Sequence, residues 1–154
     1  IGLLIAAQVQ KMMPDLINNN IDNIKLILKN NLKTMLIITS GLFIFMLLFG
    51  KILLLLLYGQ NYYINAYPIL LILMFGNICV AEAAVYGAYI TASGNQKRKI
   101  PMQLEATSLT VLGLIILHKF GIYGAAISFL FAAIYISYRY TTFTIKLIKN
   151  NTSG

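Results

Sequence analysis

Acidic side chains are scarce in this chain: four in 154 residues, against 12 Lys and Arg, with charged residues of every kind at only 10%. A soluble domain carries about a quarter charged residues, so an ordinary water-soluble domain is excluded. Cys79 is the only cysteine, which rules out an intrachain disulfide. Mid-run, it reads as a small apolar packing residue. His118 is the only histidine and sits at the end of an apolar run, where a headgroup contact suits it better than catalysis. The chain has no glycine-rich phosphate loop, no ligand cluster at metal spacing and no nucleophile with a base partner. No metal, no cofactor and no enzymatic activity are expected.

Apolar residues are abundant, at 59%, and the mean hydropathy is +0.79. They fall in four long runs, at about 34–58, 66–92, 101–118 and 122–145. A helix rising ~1.5 Å per residue needs ~20 residues to cross ~30 Å of hydrocarbon. Each run approaches or exceeds that length. The fold class expected is all-α, a polytopic transmembrane helical bundle. The opening stretch, 1–8, reads as the end of one more span, too short to cross alone. The chain is therefore expected to be the C-terminal part of a larger membrane protein, with no signal-peptide pattern at its start.

The net charge of +8 is distributed unevenly. Lys11, Lys25, Lys29 and Lys33 precede the first full run; Lys97, Arg98 and Lys99 lie between the second and third; Lys146 and Lys149 follow the fourth. The two intervening loops hold only Lys119. That alternation suits a membrane protein better than a nucleic-acid binder, and the positive-inside rule puts the rich side and the C-terminus in the cytoplasm. Asn150-Asn151-Thr152 matches a glycosylation acceptor, which a cytoplasmic tail does not use.

Residues 9–33 read as a cytoplasmic amphipathic helix on the membrane surface. Ile17, Ile21, Ile24, Leu28, Leu32 and Met35 recur every three or four residues and make one apolar face. Lys25, Lys29 and Lys33 step along its flank, within reach of anionic headgroups. Gly59 is placed to cap the first run, followed by a loop at 60–65. Tyr58, Tyr62, Tyr63 and Tyr67 at this outer boundary form an aromatic belt; sugar stacking is the sharper alternative. Asn65 and Pro68 suit the N-cap and first turn of the second run, and Ser93-Gly94 suits its end.

Two small-residue stripes appear at four-residue spacing: Ala84, Ala88 and Ala92 in the second run, and Gly124, Ser128 and Ala132 in the last. Such stripes let helix backbones approach closely in lipid. Glu105 stands one turn into the third run; three further charges fall within the runs, where a central charge costs ~3 kcal/mol on insertion scales and is a functional candidate by default. Glu82 is near the middle of the second run, and Arg139 lies toward the cytoplasmic end of the last. Their depths differ by only ~6 Å on the 1.5 Å rise, so a Glu82–Arg139 pair facing the bundle interior is expected. It would either fix helix register or line a polar cavity. Lys51, toward the outer end of the first run, can snorkel.

Four segments carry a resemblance: Met13-Pro14-Asp15-Leu16; Leu54 to Tyr62 (LLLLYGQNY); Ile90-Thr91-Ala92-Ser93-Gly94-Asn95; and Gly121-Ile122-Tyr123-Gly124-Ala125-Ala126-Ile127. Their order and spacing, over nearly the whole chain, resemble the C-terminal part of a polysaccharide (O-antigen, Wzx-type) flippase of the multidrug/oligosaccharidyl-lipid/polysaccharide exporter superfamily. The resemblance implies a MATE-like bundle of about twelve or more helices in two lobes, in the bacterial cytoplasmic membrane. It implies alternating access and movement of an undecaprenyl-diphosphate-linked oligosaccharide from the inner to the outer leaflet. The implied partners are the bilayer, the lipid-linked oligosaccharide, an N-terminal lobe and polysaccharide polymerase machinery; no nucleic acid is among them. No functional residue transfers from the family, so Glu82, Arg139 and Lys51 rest on depth. The competing readings are a cation-coupled multidrug exporter, for which Glu82 is the sole central acid, and a non-transporting membrane scaffold.

Overall fold

The computed structural model describes residues 2–18 and 21–152. Among these it is all-α: α1 (Gly2–Asn18), α2 (Ile21–Tyr58), α3 (Gln60–Ala92), α4 (Gln96–Ile116) and α5 (Gly121–Thr152), with a short 3-10 turn at His118–Phe120 before α5. Three stretches are long and apolar enough to cross a membrane: Asn23–Tyr58, Ile64–Ala92 and His118–Asn150. Only 6% of the most apolar stretch of α2 is buried inside the protein. Its open residues include Ile44, Leu48, Ile52 and Leu56. An apolar surface of that extent is tolerable against lipid and not against water. The third expected run does form a helix, α4, but it is not among the three. Its 21 residues include Lys97, Arg98, Lys99 and Glu105, and their polarity offsets the apolar second half.

The separate surface helix expected at 9–33 is not a separate element. Its first half belongs to α1, which continues through Pro14. Its second half is the start of α2, a single helix of 38 residues. No Pro or Gly interrupts 21–40, so nothing in the backbone breaks the helix where polarity changes. At ~1.5 Å per residue α2 is ~57 Å long, well beyond the ~30 Å hydrocarbon. The lysine-bearing turns therefore have room to project past it. The loop expected at 60–65 is likewise helical. Gly59, at φ 76°, makes the corner between α2 and α3. Pro68 then lies inside α3 and cannot donate to the carbonyl of Ile64. The next carbonyl, of Asn65, accepts the Tyr123 hydroxyl at 3.1 Å and ties the start of α3 to α5.

Contacts fix the directions. Gly50 packs on Tyr67 and Phe43 meets Phe75 edge-on, so α2 and α3 are antiparallel. Phe129 packs on Gly76 and Tyr140 on Gly87, so α3 and α5 are parallel. Ser128 faces Gly113 and Tyr135 bonds Glu105, so α4 runs against α5. This up-and-down order gathers Lys25, Lys29, Lys33, Lys97, Arg98, Lys99, Lys146 and Lys149 at one end, and puts Lys119 at the other.

α3 is the hub, packed along α2 and α5 with α1 on a third side. One core joins Met12, Leu16, Leu28, Met35, Ala81, Val85 and Tyr89 of α1, α2 and α3; a second joins Ala83, Ile90, Met102 and Tyr140 of α3, α4 and α5. The two small-residue stripes do not pack on each other. Ala84, Ala88 and Ala92 lie with the first core. Gly124 abuts the carbonyl of Leu117, and Ser128 abuts Gly113.

Candidate functional site

Polar side chains meet between the helices at several points. Glu82 of α3 accepts a 2.7 Å hydrogen bond at Oε2 from the Ser137 hydroxyl of α5. Arg139, two residues further on, faces elsewhere. Each residue turns an α-helix by ~100°, so Arg139 is rotated by ~200° from Ser137 and points at α4. The expected Glu82–Arg139 pair does not form: the depths agree and the azimuths do not.

Arg139 instead pairs with Glu105 of α4, at 3.2 Å from Nη2 to Oε2 and 3.4 Å from Nη2 to Oε1. Tyr135, one turn earlier on α5, completes the group. Its hydroxyl donates to Glu105 Oε2 at 2.6 Å and accepts from Arg139 Nη1 at 3.3 Å. The guanidinium also lies 5.8 Å from the Tyr135 ring centroid. Side chains on a helix lean toward its N-terminus, so Arg139 reaches back over Tyr135 to the level of Glu105. Glu105 sits near the middle of α4, yet the pair is not enclosed. The side chains of Arg139 and Glu105 are 39% and 42% exposed.

Glu105 was visible in the sequence only as a charge one turn into its run. The register that makes it Arg139's partner comes from the Gly113–Ser128 contact. Eight residues back along α4 and eight on along α5 bring 105 level with 136, beside Tyr135.

A third group sits at the basic end. Lys99 Nζ donates to Thr91 Oγ1 at 3.1 Å and lies 5.9 Å from the Tyr140 ring centroid. Burial pulls its pKa below the ordinary lysine value of 10.5. Small residues on α3 make the room: Gly87 lies against both the Tyr140 ring and Lys99 Nζ.

The remaining sequence candidates are scattered. Lys51 is exposed, its Nζ 5.3 Å over the Tyr67 ring. Tyr67 in turn donates to the carbonyl of Leu47 at 2.7 Å. Lys25, Lys29 and Lys33 line a groove between α2 and α5. Tyr58 is exposed at the opposite end, whereas the side chains of Tyr62 and Tyr63 lie outside the described ones. His118 is exposed, with Nδ1 2.9 Å from the carbonyl of Ile115 in the α4–α5 turn. Cys79 is half-buried. In sum, the bundle presents an uncovered ion pair on its α4–α5 face and a basic-rimmed apolar groove on its α2–α5 face. No known protein family, no curated protein and no solved structure matches this chain.

Proposed function

We propose that this chain is a lobe of a membrane transporter that moves an undecaprenyl-diphosphate-linked oligosaccharide from the inner to the outer leaflet by alternating access. One observation carries the reading: the half-open Arg139–Glu105–Tyr135 group in the middle of the α4–α5 hairpin. A charge facing hydrocarbon is costly, up to ~3 kcal/mol at the centre of a span on insertion scales. This face therefore looks onto water or onto another polar protein surface. A second lobe across a wet cavity supplies both. Arg139 offers a planar donor fork to an anionic group, and Glu105 with Tyr135 holds that fork in place.

The segments LLLLYGQNY and ITASGN, together with the order of the four apolar runs, support the flippase assignment within this class. The shared end of the basic clusters supports a cytoplasmic C-terminus in a bacterial inner membrane. The partners under this reading are the N-terminal lobe, the lipid-linked oligosaccharide and polymerase machinery.

The test is replacement of the chromosomal gene by the Arg139→Gln form in the source bacterium. Surface polysaccharide should fall and lipid-linked oligosaccharide should accumulate, with the protein present in the membrane at its usual level. Intact surface polysaccharide after deletion of the whole gene would overturn the reading. Drug sensitivity on deletion would point to an exporter instead, and failed assembly of another membrane protein to a scaffold.

A further inference from the structure

Between α2 and α5 lies a groove of about 990 Å³. That is near the top of the ~300–1,000 Å³ typical of small-molecule sites. Its rim and its floor differ in chemistry. Lys25, Lys29 and Lys33 stand one turn apart along the rim, and among the described side chains no Asp or Glu lines it. Lys29 and Lys33 are exposed. Leu36 and Ile37 continue the wall along α2, and Tyr86 of α3 and Ile145 of α5 complete it. The lining runs from Lys25 to Ser40, which is ~22 Å along the axis at ~1.5 Å per residue. One leaflet of a ~30 Å hydrocarbon core is ~15 Å deep, so the groove covers that leaflet from the headgroups inward.

A second observation is independent of the lysines. Thr144 of α5 lines the same groove and is fully buried, and its hydroxyl has no hydrogen-bond partner among the described residues. Helical threonines ordinarily bond a carbonyl one turn back, as Thr39 and Thr91 do here. A buried donor left unpaired costs ~1–3 kcal/mol. An acceptor delivered through the groove removes that cost.

We propose that this groove binds one anionic glycerophospholipid of the bilayer, its phosphate on Lys29 and Lys33 and an acyl chain along Leu36 and Ile37. A polar oxygen of the same lipid accepts from Thr144. The anion answers the basic rim, the chain answers the apolar wall, and the headgroup oxygens answer the orphan hydroxyl. A free phosphate would leave the wall empty. This is a stoichiometric site, distinct from diffuse attraction of lysines to a charged surface, and it holds whether or not the protein transports anything.

The experiment is native mass spectrometry of the intact protein released from detergent, with phosphatidylglycerol or phosphatidylcholine added. One phosphatidylglycerol should be retained in preference to phosphatidylcholine. The Lys29→Ala/Lys33→Ala double variant should retain it about 30-fold less well, the factor for two lysines at ~1 kcal/mol each near an anionic lipid. Leu36→Trp fills the wall without touching charge and should also displace it. Circular dichroism of both variants should match the parent, since both sites are exposed. Equal retention of the two lipids, unchanged retention by either variant, or displacement of the lipid by glycerophosphoglycerol lacking acyl chains would each overturn the proposal.

Discussion

Arg139 and Glu105 meet across the α4–α5 hairpin, with 3.2 Å between Nη2 and Oε2 and the Tyr135 hydroxyl bridging them. The pair is half-open, so its contribution to the fold is small and its contribution to the surface is large. Interhelical polar contacts in membrane proteins average ~0.6 kcal/mol by double-mutant cycle, with a maximum near 1.7. A cycle of Arg139→Gln and Glu105→Gln, read by thermal unfolding in detergent, should give a coupling inside that range. A coupling of several kcal/mol would mean that the pair is a buried structural bridge. The cavity reading would then lose its basis.

Gly113 and Ser128 set the register on which that pair depends. A Cβ at Gly113 would lie 2.6 Å from Ser128 Oγ and 2.8 Å from its Cβ, too close to be absorbed without moving a helix. Gly113→Ala should destabilise by ~1–3 kcal/mol, as overpacking in a close-packed core does. Adding Ser128→Gly should recover much of the loss. Gly41→Ala is the control: nothing lies within 4 Å there, and leaving glycine for alanine mid-helix should gain up to ~1 kcal/mol. Thermal unfolding of the four proteins decides it. If Ser128→Gly brings no recovery, Gly113 matters for some reason other than this contact.

Much of this fold was readable from residue order, and what was not readable has a common cause. Length and hydropathy located the apolar helices, and Gly59 and Ser93-Gly94 marked two real corners. The basic residues of the loops do collect at one end. Boundaries drawn from polarity alone were less successful. Lys25, Lys29 and Lys33 look like a surface helix, yet the backbone hydrogen-bonds straight through into the apolar part of α2. Asn65 and Pro68 look like a helix start, yet α3 begins at Gln60. The site was the least legible part. Depth along a helix follows from counting residues, and Glu82 and Arg139 are close in depth. Which face a residue presents to which neighbour depends on packing. Here that packing follows from contacts such as Gly113–Ser128 and Gly87–Tyr140. Glu105 was therefore missed as the partner, and Ser137 was missed as Glu82's donor.

Gly94 closes α3 with two reverse hydrogen bonds. The N–H of Asn95 donates to the carbonyl of Ile90 at 3.0 Å, and that of Gly94 to Thr91 at 3.1 Å. The geometry requires φ 76° at Gly94, a left-handed conformation open to glycine and costing other residues ~1–2 kcal/mol. Nothing crowds the position, so conformation alone should set the effect. Gly94→Ala should lower stability by ~1 kcal/mol and Gly94→Asn by less, because asparagine tolerates this region. Equal losses for alanine and asparagine in unfolding assays would show that something other than φ is at work.

Lys99 gives the fold a pH dependence whose sign is fixed by its surroundings. Burial lowers its pKa from the ordinary 10.5, while in the unfolded chain it titrates at that ordinary value. Over the window between the two, the unfolded state binds more protons, and stability rises with pH. Below that window Lys99 is charged in both states, and folding carries the full penalty of a half-buried ammonium. Its bonds to Thr91 and the Tyr140 ring offset that penalty only in part. Lys99→Met keeps the side-chain length and removes the proton. The melting temperature of the parent should therefore rise relative to that of Lys99→Met as the buffer is taken from neutral toward pH 10. Lys97→Met is the control: Lys97 is exposed, and its difference from the parent should stay flat. A parent curve that falls relative to Lys99→Met would mean that the folded state favours the charged lysine, and the contacts with Thr91 and Tyr140 would then outweigh its burial.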